Sequence, residues 1–442
     1  NVPAFEEERF MPPESALRAR VDFFYITRNP RSRRGRGRGD FWVNEGKNWH
    51  RAVKRFINKK KDARRALNGI VAPDDSEEEK IRKIYTYVQG LRNLGYEHSR
   101  TKEERKRANI KTNNHIGDVL KRGYGYHTQL NRLFVALARA AGMEADVVRI
   151  SERDVWFFLK KLLKGTQLDG EVAVVKVDGE DRWFDPSTPY CPAGMLSWHR
   201  TGVTGIRLAK NGGTFVQTPQ PKSDDAVIHR KADLKLDDTG TLEGTLTVTF
   251  HGMEAIRRRL SALKDDETTA QEELEEDIKG WLPSNATLKL QEVTGLESSE
   301  EPLQAVVKIT LPDFAASTGR RLLLPTGVFV ANTANPFRHA KRIHPVYFRS
   351  PFRRTDELTI ALPGQLAVES LPKDHTLSPP FGRYTFKAWE EEGKLLIQRQ
   401  FIMEGYFFQV NFYPMLRNFY GRVRTNDEEQ AVLRMVSGSD DD

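Results

Sequence analysis

Residues 122–148, RGYGYHTQLNRLFVALARAAGMEADVV, decide the fold. Leu130, Leu133, Phe134, Leu137 and Ala141 recur at three- and four-residue intervals, and that spacing predicts a helix from about His127 to Ala141. Gly142 supplies its stop. The turn Gly123-Tyr124-Gly125 precedes the helix, and an apolar strand at 145–150 follows it. Two further strands, 171–177 and 182–184, are joined by the turn Asp178-Gly179. Helices followed by a helix packed on an antiparallel sheet make an α+β arrangement. Strand alternation should bring Val172, Val174 or their neighbours against the helix.

The whole chain has 442 residues, a length suited to about three domains. Charged residues make up 30% and hydrophobic ones 38%, with a mean hydropathy of −0.60. That is polar for a globular protein but above the composition of a disordered chain. No apolar run approaches the length of a membrane-spanning helix. The single cysteine, Cys191, excludes an internal disulfide and a cysteine-based zinc site. The first residue is Asn1, and the chain reads as processed or truncated. Lysine and arginine outnumber the acids by nine. The excess gathers at Arg31, Arg33, Arg34, Arg36 and Arg38, among glycines. No aromatic side chains interleave there to stack bases, so this reads as a basic hairpin tip and no nucleic-acid partner is favoured. Residues 439–442 read as a frayed acidic tail.

Residues 19–26 alternate apolar and polar, as a strand does. With FEEERFMPPES at 5–15 they cannot bury a core, so residues 1–45 read as the end of an N-terminal β-domain. A missing domain or a separate chain would complete residues 1–30. In a second domain, 46–220, the period turns helical from Trp49. Val53, Phe56, Ile57, Ala66 and Leu67 mark one helix closed by Asn68-Gly69. Ser76 caps another, with Ile81, Ile84, Tyr85 and Val88 on one face. Trp156, Phe157 and Phe158 suggest a short loop helix with packing roles. After Pro219-Gln220-Pro221 the period becomes two. Residues 221–442 read as a β-rich, sandwich-type domain with helices inserted near 254–263 and 268–281, and a last strand at 407–412.

The stretch 122–148, with GEVAVVKVDGEDRWFDPST at 170–188, resembles the bacterial transglutaminase-like superfamily, which shares the papain-like fold. That family's pattern is a glycine turn, Asp-Cys at a helix start, a leucine-rich helix, a strand carrying His, and Asp-Pro-Thr. Here the glycine turn is Gly123–Gly125 and the last motif is Asp185-Pro186-Ser187. EEEKIRKIYTYVQGLRNLGY at 77–96 looks like the family's preceding helix. MPPE at 11–14 and ALPGQLAVESLP at 361–372 resemble a secreted subgroup with flanking β-domains.

The family's nucleophile is a thiolate whose pKa the helix N-terminus and an imidazolium depress, with the aspartate fixing the imidazole's tautomer. In this sequence the cysteine position is His127, the residue before it is Tyr126, and the histidine position is Glu171; Asp185 alone is retained. Cys191 lies six positions past Asp185, where the motif places no base. The resemblance therefore implies a degenerate site that binds a peptide or protein segment, in a protein exported to the periplasm or cell envelope. Tyr124, Tyr126, His115 and Trp183 are candidate binding residues; no metal site is assigned and no cofactor is expected. One alternative is a hydrolase or acyltransferase using His127, Glu171 and Asp185, with or without a metal. Another is a structural component of the envelope. If His127 stands beside two carboxylates, its pKa should rise above the usual 6.5 or so.

Overall fold

A computed structural model describes residues 5–19, 21, 41–97 and 101–436. The chain forms two compact units: Pro13–Pro221, and a second that joins the segment up to Pro12 to the residues from Lys222 onward.

In the first unit, α1 (Phe41–Ile57) and α2 (Lys60–Leu67) stand where one helix was expected from Trp49. The buried face already begins at Trp42 and Gly46, which carries the helix upstream. Lys59, at φ −100° and ψ 62°, then breaks it in two. α3 (Glu77–Gln89) opens with a capping box: Ser76 Oγ accepts the Glu79 N–H, and the Glu79 carboxylate accepts the Ser76 N–H. α4 (Ile116–Arg122) stops at Gly123, whose φ of +74° suits glycine. α5 (His127–Ala140) is the helix that the leucine spacing predicts.

Five strands follow: β1 (Ala145–Ile150), β2 (Gly170–Val177), β3 (Glu180–Phe184), β4 (Thr204–Arg207) and β5 (Thr214–Gln217). They pair antiparallel in the order β3-β2-β1-β4-β5. Asp178 and Gly179, both with positive φ, close the β2–β3 hairpin. α5 lies on β1 and β2. On β1 and β2 the residues that meet the helices are Ala145, Val147, Ala173, Val175 and Val177, joined by Phe184 of β3 and Ile206 of β4. Val172 and Val174 lie on the other face, in a separate small cluster with Val148, Ile150, Leu196 and Val203. Residues 156–158 form no helix; Phe158 packs against Trp42 and Phe215.

The second unit alternates buried and exposed residues along its long strands. The strands here are β6 (Ala226–Leu236), β7 (Leu242–Gly252), β8 (Thr287–Thr294), β9 (Leu303–Leu311), β10 (Ala316–Thr318), β11 (Arg321–Pro325), β12 (Phe352–Ala361), β13 (Leu366–Ser370), β14 (His375–Leu377), β15 (Gly382–Glu391), β16 (Lys394–Met403) and β17 (Gln430–Met435). Eight form one sheet, β8-β9-β7-β6-β12-β16-β15-β14, antiparallel except for the β6–β12 pair. Four form another, β10-β11-β17-β13, and both contribute to one apolar cluster. α6 (Met253–Ala262) and α7 (Glu267–Lys279) are the two inserted helices. The strand expected at 407–412 is only Phe407–Phe408, and a helix, α8 (Tyr413–Asp427), follows. Its signals are Pro414 at the start and the buried spacing Leu416, Phe419, Val423.

Residues 5–12 attach to this second unit: the Phe10 carbonyl accepts from Tyr347, and the Glu8 carboxylate accepts the His344 N–H. No separate unit covers the described part of 1–45. The arginine-glycine segment at 31–38 and the tail at 439–442 lie outside the described residues. So does the strand expected at 19–26, apart from Ala19 and Val21, which are in no strand.

The core on α5 sets one expectation. Phe134 has no exposed surface and its ring meets those of Tyr85 and Phe184. Phe134→Ala should cost about 3–5 kcal/mol, read from denaturant unfolding. A loss under about 1 kcal/mol would mean that this helix does not anchor the sheet.

Candidate functional site

His127 is the first residue of α5, held there by local bonds. The Gln129 side chain accepts the Tyr126 N–H ahead of the first turn. Opposite, residues 92–96 lie against the glycine turn. Arg92 and Asn93 pair in parallel with Tyr124 and Gly125, and the Leu94 N–H reaches the Gly125 carbonyl at 2.9 Å. This brings Gly95 so close to the imidazole that any Cβ there would collide with Nε2. The Tyr96 ring stands edge-on to His127, with centroids 5.1 Å apart. Asn93 ties the segment to the Asp185-Pro186-Ser187 turn by donating to the Ser187 carbonyl at 2.7 Å.

Asp185 follows β3 and is completely buried. Its carboxylate accepts the Ser187 hydroxyl at 2.7 Å and the Thr188 hydroxyl at 2.6 Å. Nη1 of Arg200 binds both of its oxygens, at 2.7 and 2.8 Å. The Arg200 Nε and Nη2 bind Glu152 at 2.8 and 2.7 Å. Burial opposes the charge on Asp185, but Arg200 and the two hydroxyls outweigh it and hold its pKa below the usual carboxylate value. Arg200 is raised despite its burial, because Asp185 and Glu152 flank it.

The same cation acts on the imidazole. His127 titrates below its ordinary value, first because it is buried and next because Arg200 repels a second positive charge. Asp185 and Glu152 oppose that shift without cancelling it. The expected rise in pKa is thus reversed. Nδ1 of His127 is buried without a hydrogen-bond partner. Burial and the neighbouring Asp185 push the Tyr96 phenol up to about 12, so it stays protonated.

Glu171 does not join this cluster. Its carboxylate accepts from Arg132 at 2.8 and 2.5 Å and from Arg149 at 3.1 Å, one helical turn inward from His127. Asn131 donates to the Glu171 carbonyl at 2.5 Å, fixing helix to strand. Both carboxylates of the expected triad are therefore held by guanidinium groups. Among the described residues, no three His, Cys, Asp or Glu side chains are grouped to hold a metal ion.

The other candidates separate. His115 caps α4, with Nδ1 accepting the Asp118 N–H. Tyr124 is buried, its hydroxyl bonded to both the N–H and the carbonyl of Lys111. Trp183 packs with the small cluster on the far face of the sheet. Only Tyr126, 39% exposed, opens to solvent beside His127. The Cys191 Sγ is buried and contacts the Met195 carbonyl at 3.4 Å. Arg200, Glu152 and Tyr96 were not foreseen from the sequence. Arg200 and Glu152 fall outside every motif, and a lone charged residue in a loop reads as solvated.

Comparison with known proteins agrees with this architecture. A model of the transglutaminase-like superfamily matches residues 64–183, and a domain of unknown function with a solved structure matches 320–433. No curated protein matches. A crystal structure from Parabacteroides distasonis ATCC 8503, described as a "putative protease", is similar in fold with a TM-score of 0.52 at 12% identity. The similarity covers 98% of this chain but 64% of that one, so this chain spans under two thirds of its neighbour's length. With helices on an antiparallel sheet, a β-rich unit beyond, and the family model matched across the core, residues 64–183 are a domain of the transglutaminase-like superfamily.

Proposed function

We propose that this domain has lost thiol acyl transfer and works by binding an extended polypeptide segment. The state of Asp185 carries the reading. Where the family's aspartate orients an imidazole, Asp185 is taken up by Arg200, Ser187 and Thr188. His127 stands at the motif's cysteine position without a thiolate to offer, and Cys191 is buried, its Sγ against the Met195 carbonyl. A chain crossing the start of α5 would meet the exposed Tyr126 ring, and the neighbour's description as a protease favours polypeptide as the ligand class. An exported location in the cell envelope belongs with this reading through the family resemblance. One observation favours a second reading, hydrolysis through His127: its Nδ1 is buried and unpartnered, and its lowered pKa favours the neutral imidazole that a nucleophile needs.

Offered a glutaminyl peptide with an amine donor, and a panel of activated esters, the full chain should show no turnover above background. Thiol alkylation and Cys191→Ser should change nothing. Arrayed extended peptides should bind, and Tyr126→Ala should weaken that binding by about tenfold. Ester turnover abolished by His127→Gln would establish the second reading instead. Turnover abolished by Cys191→Ser would overturn both.

The lowered pKa of His127 has a defined sign in stability. A histidine whose folded pKa is depressed contributes stability that is fully present above its unfolded value, near 6.5, and lost as pH falls through the folded value. Wild type should therefore lose thermal stability relative to His127→Gln between about pH 8 and pH 5. A gain on acidification would mean that the carboxylates outweigh burial and Arg200 at the imidazole.

A further inference from the structure

The far end of α5 borders a concavity that the acyl-transfer motif does not involve. It has a volume of about 410 Å³ and lies between α1, α2 and the last turn of α5. Such a volume falls within the range of small-molecule sites, roughly 300–1,000 Å³. It stands about 20 Å along the helix axis from His127, at ~1.5 Å per residue.

Its walls divide by chemistry. Val53, Ala63, Ala136, Val147 and Leu208 form a buried apolar floor. Around it stand His50, Lys54, Lys60, Arg64 and Arg139, and among the described residues no carboxylate lines the space. Arg139 is already neutralised, donating to the Ala145 carbonyl and to Asp146 at 2.8 Å. Lys54, Lys60 and Arg64 form no ion pair among the described residues and are exposed. His50 titrates below its usual value, first through burial and then through Arg139 and Lys54, with Asp146 opposing.

We propose that this concavity binds a single-chain amphiphile with an anionic headgroup, such as a fatty carboxylate: the tail on the apolar floor, the headgroup on Lys54, Lys60 and Arg64. Three unneutralised cations of one sign at the mouth of an apolar hollow are complementary to neither a neutral lipid nor a bare anion. A neutral lipid leaves the cations unpaired, and a bare anion leaves the floor wet.

Calorimetry on the full chain tests this with dodecanoate below its micelle concentration, and with methyl dodecanoate, acetate and phosphatidylglycerol vesicles. Dodecanoate should bind saturably at one site, with the methyl ester and acetate each at least about tenfold weaker. Lys60→Glu and Arg64→Glu, both at exposed positions, should each weaken dodecanoate binding by about tenfold. Ala140→Trp should abolish it by filling the hollow, and thermal unfolding of each variant confirms that it folds. Equal binding of the methyl ester would overturn the role of the headgroup. Equal binding of acetate would overturn the role of the floor. Binding confined to vesicles would mean a membrane-surface contact, and binding unmoved by both charge reversals would place the amphiphile elsewhere; either result sinks the proposal.

Discussion

A carboxylate with no exposure to solvent must be both paired and hydrogen-bonded, and Asp185 is the point on which the first unit turns. Satisfying it brings four pieces of chain together: the end of β3, the turn through Ser187 and Thr188, the Arg200 turn, and the loop that carries Glu152 to the far side of the guanidinium. Removing one partner from such a pair typically costs about 3–5 kcal/mol, because the other is left charged and unsolvated. The pairing also sets the chemistry of the site. An aspartate taken up by Arg200, Ser187 and Thr188 has little capacity left to orient an imidazole, and burial, with the Arg200 charge second, lowers the pKa of His127.

The β-rich unit meets the same constraint by the same means. Asp356 on β12 accepts from Arg230 on β6 at 2.7 Å and from Arg399 on β16 at 3.3 Å. Arg399 in turn donates to Asp427 at the end of α8 at 2.6 and 2.8 Å, and Asp427 also accepts the Tyr384 hydroxyl at 2.9 Å. Four strands and a helix are thereby registered by a chain of buried charges rather than by apolar packing alone. Such networks add little net stability over an apolar equivalent, but they penalise any arrangement that leaves one member unpaired.

α5 serves both the His127 cluster and the concavity at its far end because its middle and its ends differ. Leu130, Leu133, Phe134 and Leu137 bury the middle against the sheet. The ends, where helical backbone groups run out of intrahelical partners, carry the polar side chains. At the start this gives an imidazole crowded by Tyr96 and Gly95; at the end it gives Arg139 bonded to the chain that follows.

By itself the sequence determined what depends on local spacing. The apolar repeat of 130–141 made a helix, the Ser76/Glu79 pair capped another, Asp178-Gly179 closed a hairpin, and the period-two runs after Pro221 made strands. The glycine turn and the helix also lie within the stretch, 64–183, that the model of the superfamily matches. Tertiary structure alone decided which charges meet. Glu171 was expected beside His127, yet strand pairing sets it opposite Arg149 and within reach of Arg132. Arg200 was expected nowhere, yet it commands Asp185 from fifteen positions along the chain. Periodicity reports which face a side chain takes within its own element. The partner of a buried charge comes from another element, at a sequence distance that no local pattern encodes, and is fixed only when the fold closes around it.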